Sequence, residues 1–340
     1  MLFWNMLFAI AIVFFERRDP KSVWAWLLLL FFLPGIGFVF YLFLGVDLRK
    51  RKMFQEKELE DNIHEIIRDQ KLLLKDRPDK NRDDAAEYTD LIMYNMETAD
   101  AVLLGENDID IFTDGNEKFD ALIADLETAE HFIHLQYYII RNDVLFQRIV
   151  EVLKKKAAEG VAVRVLFDGM GCRSVRRSYW RQLEAAGIRT AEFFPAILGR
   201  LQLRINYRNH RKIVVIDNRT AYVGGFNIGR EYIDLDPRFG HWRDTHLRIT
   251  GEGVLGLQLR FILDWNYAAG EKLFEDSRLL LVPPRGERDH CALQIISSGP
   301  DNSLEQIRDN YIRLITKAKK RICIQTPYFI PDEAVLNSLL

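Results

Sequence analysis

The sequence predicts an α/β protein of layered type, with a sheet covered by helices, carried behind an apolar N-terminal membrane anchor. Three observations lead there. Residues 23 to 44 run without a single charge. From residue 108 onward, strand-like and helix-like apolar periodicities alternate along the chain. The stretch "HRKIVVID" then sets a histidine and a lysine at the head of a β-branched run that reads as a strand buried on both faces.

The anchor comes first. Val23 to Leu44 would extend about 33 Å as a helix, enough to cross a hydrocarbon core of roughly 30 Å. Pro34 and Gly35 fall mid-span, where a membrane helix accepts a kink if its neighbours satisfy the freed carbonyl. Met1 to Phe15 is apolar but shorter, about 22 Å, and reads as a tight first crossing or an interfacial segment. No basic residue precedes it and no small-residue cleavage site comes after it, so it does not read as a cleaved leader. The intervening "ERRDPK" carries three basic residues, whereas "LRKRK" at 48 to 52 carries four. Basic flanks stay inside, so the chain beyond the anchor is expected to face the cytoplasm, in a multi-pass cell-membrane protein.

The expected organisation is an anchor over 1–46, a charged tether with a surface helix over 47–105, an α/β unit over 106–270, and a linker with further structure over 271–340. "DIDIFTDG" alternates and ends in a turn dipeptide, a strand. "EKFDALIADLETA" places Phe119, Leu122, Ile123 and Leu126 on one helical face. "HFIHLQYYII" is a buried strand, "LFQRIVEVLKKKAAEG" a helix ending at Gly160, and "VAVRVLFDG" a second buried strand. Strand, helix and strand in that order imply a parallel pair with a covering helix.

Charge restricts function. The 340 residues hold 47 basic and 49 acidic side chains, a formal net charge of −2, so the chain has no bulk attraction to polyanions and any anion binding must be local. Cys172, Cys291 and Cys323 are odd in number and far apart, which fits a reducing compartment and no metal site.

The chemistry gathers around one stretch. His210 and Lys212 are two residues apart, so in an extended chain both project to one side and reach one small anion. An imidazole can attack phosphorus and carry it covalently, while an ammonium steadies the nonbridging oxygens. Asp217 is expected to orient and stabilise a histidine through a ring nitrogen. Gly224 and Gly225 let backbone approach a ligand closely, with Asn227 beside them. Arg200, Arg204, Arg208 and Arg211 form one basic cluster, and Arg173, Arg176, Arg177 and Arg181 another; either could attract anionic headgroups or be a solvated face. "AEFFPAILG", with Phe193, Phe194, Ile197 and Leu198, reads as a loop dipping toward acyl chains or as ordinary core. His131, His134 and His246 read as packing or surface residues.

"HRKIVVID" and the later "GGFN" resemble the H-x-K-x4-D signature of the phospholipase D superfamily, and "ERRDPKSVWAWLLLLFFLPGIGFVFYLFLG", "NYRNHRK", "HWRDTHLRITG", "SSGPD" and "IQTPYFIPDE" resemble segments of bacterial cardiolipin synthases. The resemblance covers nearly the whole chain. It implies a phospholipase D-type fold, a mixed sheet flanked by helices, with the motif of the first repeat at 205–232. It also implies phosphatidyl transfer from one phosphatidylglycerol to another through a phosphohistidine, releasing glycerol and making cardiolipin. His210, Lys212 and Asp217 would be catalytic, and Asn227, Gly224, Gly225, Arg208 and Arg211 would bind substrate. No cofactor and no metal are implied; the partners are phosphatidylglycerol and anionic membrane lipid, with no nucleic acid, and the oligomeric state stays open. "IHLQ" at 133–136 recurs as "ICIQ" at 322–325, so 271–340 reads as a linker and the start of a second repeat, and the chain as a truncated synthase, inactive by itself. A superfamily hydrolase or nuclease acting as a homodimer, or an inactive membrane-bound interaction protein, would carry the same motif.

Overall fold

A computed structural model describes residues 20–33, 35–37, 87–194, 208–280, 291–299 and 304–340. These fall into two units. In the first, helix α1 (Pro20–Phe32) is 13 residues long, about 20 Å. It stops short of Pro34, whose ring disfavours helical geometry in the residue before it, and Gly35 takes a left-handed φ of +89°. Trp24, Phe31 and Phe32 are 65, 77 and 71 % exposed, so α1 turns apolar rings outward. No described helix is long and apolar enough to cross a membrane. The 23–44 span expected from sequence is described only in part: α1 ends at Phe32, Gly37 N donates to the Leu33 carbonyl at 2.7 Å, and 38–44 lie outside the described residues, as do Met1–Phe15.

The second unit is the layered α/β body. Its elements are α2 (Thr89–Thr98), β1 (Asn107–Asp114), α3 (Gly115–Glu127), β2 (Phe132–Tyr137), α4 (Val144–Ala158), β3 (Ala162–Asp168), α5 (Arg177–Ala185), β4 (Arg189–Phe193), β5 (Ile213–Ile216), β6 (Thr220–Gly224), β7 (Arg243–Gly251), α6 (Gly253–Ala269), α7 (Gln306–Lys317) and α8 (Glu333–Leu339). The strands form one sheet in the order β1-β7-β6-β5-β2-β3-β4. β2, β3 and β4 run parallel, and β5, β6, β7 and β1 join antiparallel, so the sheet is mixed.

The periodicities read from sequence produce these layers. Asp114 caps α3 by accepting from Asn116 N and Glu117 N, and Asp143 caps α4 through Leu145 N and Phe146 N. α3, α4 and α5 cover one face, where Phe119, Leu122, Ile149, Leu153 and Trp180 pack on Tyr137 and Val214. α6 covers the other with Leu257, Phe261 and Trp265 against Phe132 and Val215. Every residue of β2 and β5 is buried, which is why both read as apolar runs rather than alternating strands. The β5–β6 turn places Asp217 and Asn218 at φ +51° and +53°, closed by Arg219 N–H to the Ile216 carbonyl at 2.9 Å.

Two segments differ from expectation. The surface helix anticipated within 47–105 is α2, and it belongs to the folded body: Tyr94 donates to Asp309 Oδ2 at 2.7 Å, and the Arg313 guanidinium sits 3.7 Å over the Tyr94 ring. Residues 322–325, expected as a strand by analogy with β2, come after a helix as β2 does but form no strand and are exposed. A strand exists only as part of a ladder, and no strand pairs with them among the described residues.

Candidate active site

The motif occupies the chain immediately before β5, at the end of the sheet where β2 and β3 finish. Val214 and Ile213 pair with Leu135 and Gln136 on one side, and Ile213 pairs with Val223 on the other. Lys212 therefore lies beside the end of β2 and beside Gly224. Its Nζ stands 3.2 Å from His210 Nδ1 and 3.3 Å from Nε2, and donates to the His210 carbonyl at 2.8 Å. Near-equal distances mean the amine is aligned with neither ring lone pair. The same-side projection expected for the pair is present. Tyr138 completes the wall, with its ring 4.6 Å from the imidazole and 5.4 Å from Lys212 Nζ.

The electrostatics suit nucleophilic work. Burial and then the Lys212 charge lower the His210 pKa below its ordinary 6.5, with Asp244 opposing. Burial brings Lys212 down to about 8, again against Asp244. Asp244 is thus the carboxylate whose field reaches both groups. It sits there because residue 225 is glycine: a Cβ at Gly225 would lie 1.9 Å from Asp244 Oδ1. A Cβ at Gly224 would lie 2.4 Å from His246 Cα on the adjoining strand. The glycine pair, expected to admit a ligand, instead admits β7 and its carboxylate.

The other expected ligands have structural partners. Asp217 sits at the far end of β5 from His210, and its carboxylate accepts from Glu130 N at 2.7 Å, His131 N at 2.9 Å and Phe132 N at 2.6 Å. It pins the start of β2 instead of orienting an imidazole, because the turn after β5 folds its side chain back onto the neighbouring strand. Asn227 accepts from Ile139 N at 3.1 Å and donates to Tyr232 OH at 2.8 Å, so both ends of its amide are engaged within the protein. Arg208 lies 3.8 Å from Asp168, and Arg211 lies 3.1 Å from Asp264 Oδ2. Phe193, expected in a lipid-facing loop, is buried at the end of β4, and Ile197 and Leu198 fall outside the described residues, as do Arg200 and Arg204.

Residues not singled out from sequence hold the motif in place. Asp264 on α6 is fully buried and accepts from Gln136 Nε2, Asn209 Nδ2, Arg211 and Arg260. Burial opposes its ionisation, but Arg211 and Arg260 outweigh it and keep its carboxyl below the ordinary range. Asp168 at the end of β3 takes Asn209 N–H at 3.1 Å. The "FDG" ending of β3 was the one available signal, a carboxylate where a buried strand opens into a turn.

Two further histidines among the described residues lie in the core. His134 is fully buried, stacked 4.4 Å from the Phe261 ring, and burial lowers it to about 3. His246 is fully buried beside Phe226, with Lys118 below it donating to Tyr137 OH at 2.8 Å. Among the described residues one group, Asp114, Asp234 and His241, brings donor atoms within 4.8 Å of one another. A 2.8 Å His241–Asp234 ion pair and the helix-capping bonds of Asp114 explain it.

Asp217→Asn is expected to destabilise the fold by about 2 kcal/mol or more while leaving turnover per folded molecule near normal. An amide keeps its oxygen for His131 and Phe132 but turns an NH2 toward the Glu130 N–H, leaving a donor unmet. Urea unfolding and turnover measured side by side check this; slowed turnover at unchanged stability would return Asp217 to an orienting role.

The chain is similar to several known proteins. Residues 122–237 match a family model described as cardiolipin synthase, PLD-like domain, and residues 4–45 match one described as phospholipase D-nuclease N-terminal. A cardiolipin synthase of Oceanobacillus iheyensis is 44 % identical over 337 residues, covering 98 % of this chain and 70 % of that protein. One from Staphylococcus aureus is 46 % identical over 338 residues, covering 98 % and 68 %. A solved phosphatidylserine synthase of Haemophilus influenzae is similar at a TM-score of 0.48 and 16 % identity, covering 74 % of this chain and 62 % of that one. The sequence alignments run through 98 % of this chain and span 70 % and 68 % of the lengths of these two relatives.

Proposed function

Because the chain belongs to the cardiolipin synthase family of phospholipase D-like proteins, we propose that it moves a phosphatidyl group from one phosphatidylglycerol to a second, giving cardiolipin and glycerol, with His210 as nucleophile. The observation that carries the reading is the His210–Lys212 pair, a half-exposed imidazole with a buried amine within 3.3 Å of both ring nitrogens.

A ring nitrogen of neutral His210 forms a bond to phosphorus as the bond from phosphorus to the glycerol oxygen breaks. The electron pair leaves with that oxygen, which takes a proton from an acid on the opposite side, since in-line displacement puts the leaving group across from the nucleophile. A hydroxyl of the second phosphatidylglycerol then attacks phosphorus and gives its proton to the conjugate base of that acid, the N–P bond breaks with its electron pair returning to the ring nitrogen, and the neutral imidazole is regenerated. Lys212, in its cationic form, steadies the charge on the nonbridging oxygens through both steps. Tyr138 limits the ring to one orientation by packing, and Asp244 keeps Lys212 charged against its burial. Arg208 and Arg211 support the site by fixing the motif segment to Asp168 and Asp264.

The test is the pH dependence of cardiolipin formation from phosphatidylglycerol vesicles. His210 must be neutral to attack, and its pKa lies below the ordinary 6.5, so the acid limb of the rate should fall below 6.5. Lys212 must be charged, and that charge is lost as pH rises through about 8, so the rate should fall there. A rate that keeps rising past pH 9 would exclude the role given to Lys212.

The apolar surface of α1 and the uncharged run that continues from it support an N-terminal membrane anchor, with the α/β body on the cytoplasmic side as the "LRKRK" flank favours. Cys291 and Cys323 are exposed and serve as reporters. A membrane-impermeant maleimide should leave both unmodified in intact cells and modify both after permeabilisation; labelling from outside would reverse the orientation.

A further inference from the structure

Among the described residues, four arginines without a carboxylate partner stand together in one stretch of the fold. Arg141, Arg208, Arg211, Arg248 and Arg260 are each held by a carboxylate. Arg173, Arg176, Arg177 and Arg181 are all exposed, and among the described residues none of the four is paired with a carboxylate. The fold explains their position but not their charge. After β3, Asp168 Oδ1 accepts from Met170 N and Gly171 N, and the chain turns through Cys172 and Val175 into α5. Inside, Trp180 stacks on Phe167 at 3.9 Å and Leu183 is fully buried. The inward face being settled, Arg177 and Arg181, four residues apart, share the outward one.

This arrangement works against the protein's own stability. Like charges four apart on a helix repel, and Arg176 and Arg177 stand at the helix end where the backbone dipole already presents positive charge. A dense surface of phosphates would reverse both terms. The group also begins at the rim of the active site. Cys172 Sγ contacts the Tyr138 carbonyl at 3.4 Å, and the Tyr138 ring is 4.6 Å from that of His210. The Arg173 charge is felt at the Tyr138 hydroxyl, where it opposes burial and Asp168.

We propose that Arg173, Arg176, Arg177 and Arg181 form a docking face for an anionic lipid bilayer, holding the mouth beside His210 and Tyr138 against the headgroup phosphates. The proposal rests on the phosphatidyl-transfer reading, which makes the substrate a component of that bilayer. A bilayer is favoured over nucleic acid because the chain as a whole carries a net charge of −2, and this group occupies one turn and one helix face. Guanidinium groups suit phosphates, which they bind through paired N–H donors.

The test uses the whole chain in lipid nanodiscs, carrying Cys291→Ser, Cys323→Ser and a fluorophore on Ser178→Cys, an exposed position between the arginines. Headgroup spin-labelled lipid reports contact by quenching. Discs of phosphatidylcholine with phosphatidylglycerol should quench strongly, discs of phosphatidylcholine alone weakly, and raising salt to about 1 M should erase the difference. Arg177→Gln with Arg181→Gln should lower the docked-to-undocked ratio about 25-fold, at roughly fivefold per arginine near an anionic surface. Arg177→Lys with Arg181→Lys should retain most of it, and that charge-preserving pair keeps the test valid if the neutral pair folds poorly. Free inorganic phosphate at millimolar concentration should not compete; if it abolishes quenching, the group is a phosphate site and the docking face is wrong. Equal quenching with and without phosphatidylglycerol, or no loss in the glutamine variants, overturns the proposal. So does a plasmid-DNA gel shift that those variants abolish while quenching stays flat. Quenching that behaves as expected in a chain that makes no cardiolipin would refute the reaction and leave the docking face standing.

Discussion

His210→Ala is expected to reduce cardiolipin formation by on the order of a millionfold, below detection in a vesicle assay, because removing a covalent nucleophile removes the route and not merely a contact. His210 is partly exposed and lies before β5, outside either hydrophobic cluster, so the truncation should shift stability by only about 0.5 kcal/mol. Loss of turnover with an unchanged melting temperature therefore separates a chemical role from a structural one. Turnover within tenfold of the parent protein would remove His210 from the mechanism.

Lys212→Met is expected to slow the reaction by on the order of 100-fold or more, the usual consequence of deleting one preorganised charge that stabilises a transition state. Its effect on stability should run the other way. Lys212 is only 3 % exposed, and burial has already brought its pKa down to about 8, so the folded state bears the cost of desolvating that charge. A methionine of similar length fills the space and removes the cost, so urea unfolding should show equal or greater stability alongside the slower turnover. Lys212→Arg separates charge from shape further: a guanidinium does not lose its proton near pH 8, so any activity it retains should have its basic limb displaced upward. Normal turnover in the methionine variant would assign the anion-stabilising role elsewhere.

The structure changes the meaning of residues that sit close together in the motif. His210, Lys212 and Asp217 belong to one H-x-K-x4-D pattern, yet only the first two meet. Asp217 lies beyond β5 and secures the first residues of β2, contributing to the site by keeping the central strand pair in register. Gly224 and Gly225 act in the same indirect way, by giving room to β7 and thereby to Asp244.

The amino-acid order by itself determined what depends on near neighbours. Apolar spacing of 3.6 and 2 residues set α3 and α4 and the buried strands β2, β3 and β5, because a helix or strand face is defined within one short window. It also determined that His210 and Lys212 project together, since two steps along an extended chain return to the same side. Only the tertiary structure decided what each polar group is bonded to. Arg211 meets Asp264 across 53 residues, Asn209 meets Asp168 across 41, and Asp217 meets Phe132 across 85. No local window contains those partners. A buried charge takes the nearest opposite charge or donor that the folded sheet and helices bring to it, which here is Asp168 for Arg208, Asp264 for Arg211 and the backbone N–H groups of residues 130–132 for Asp217.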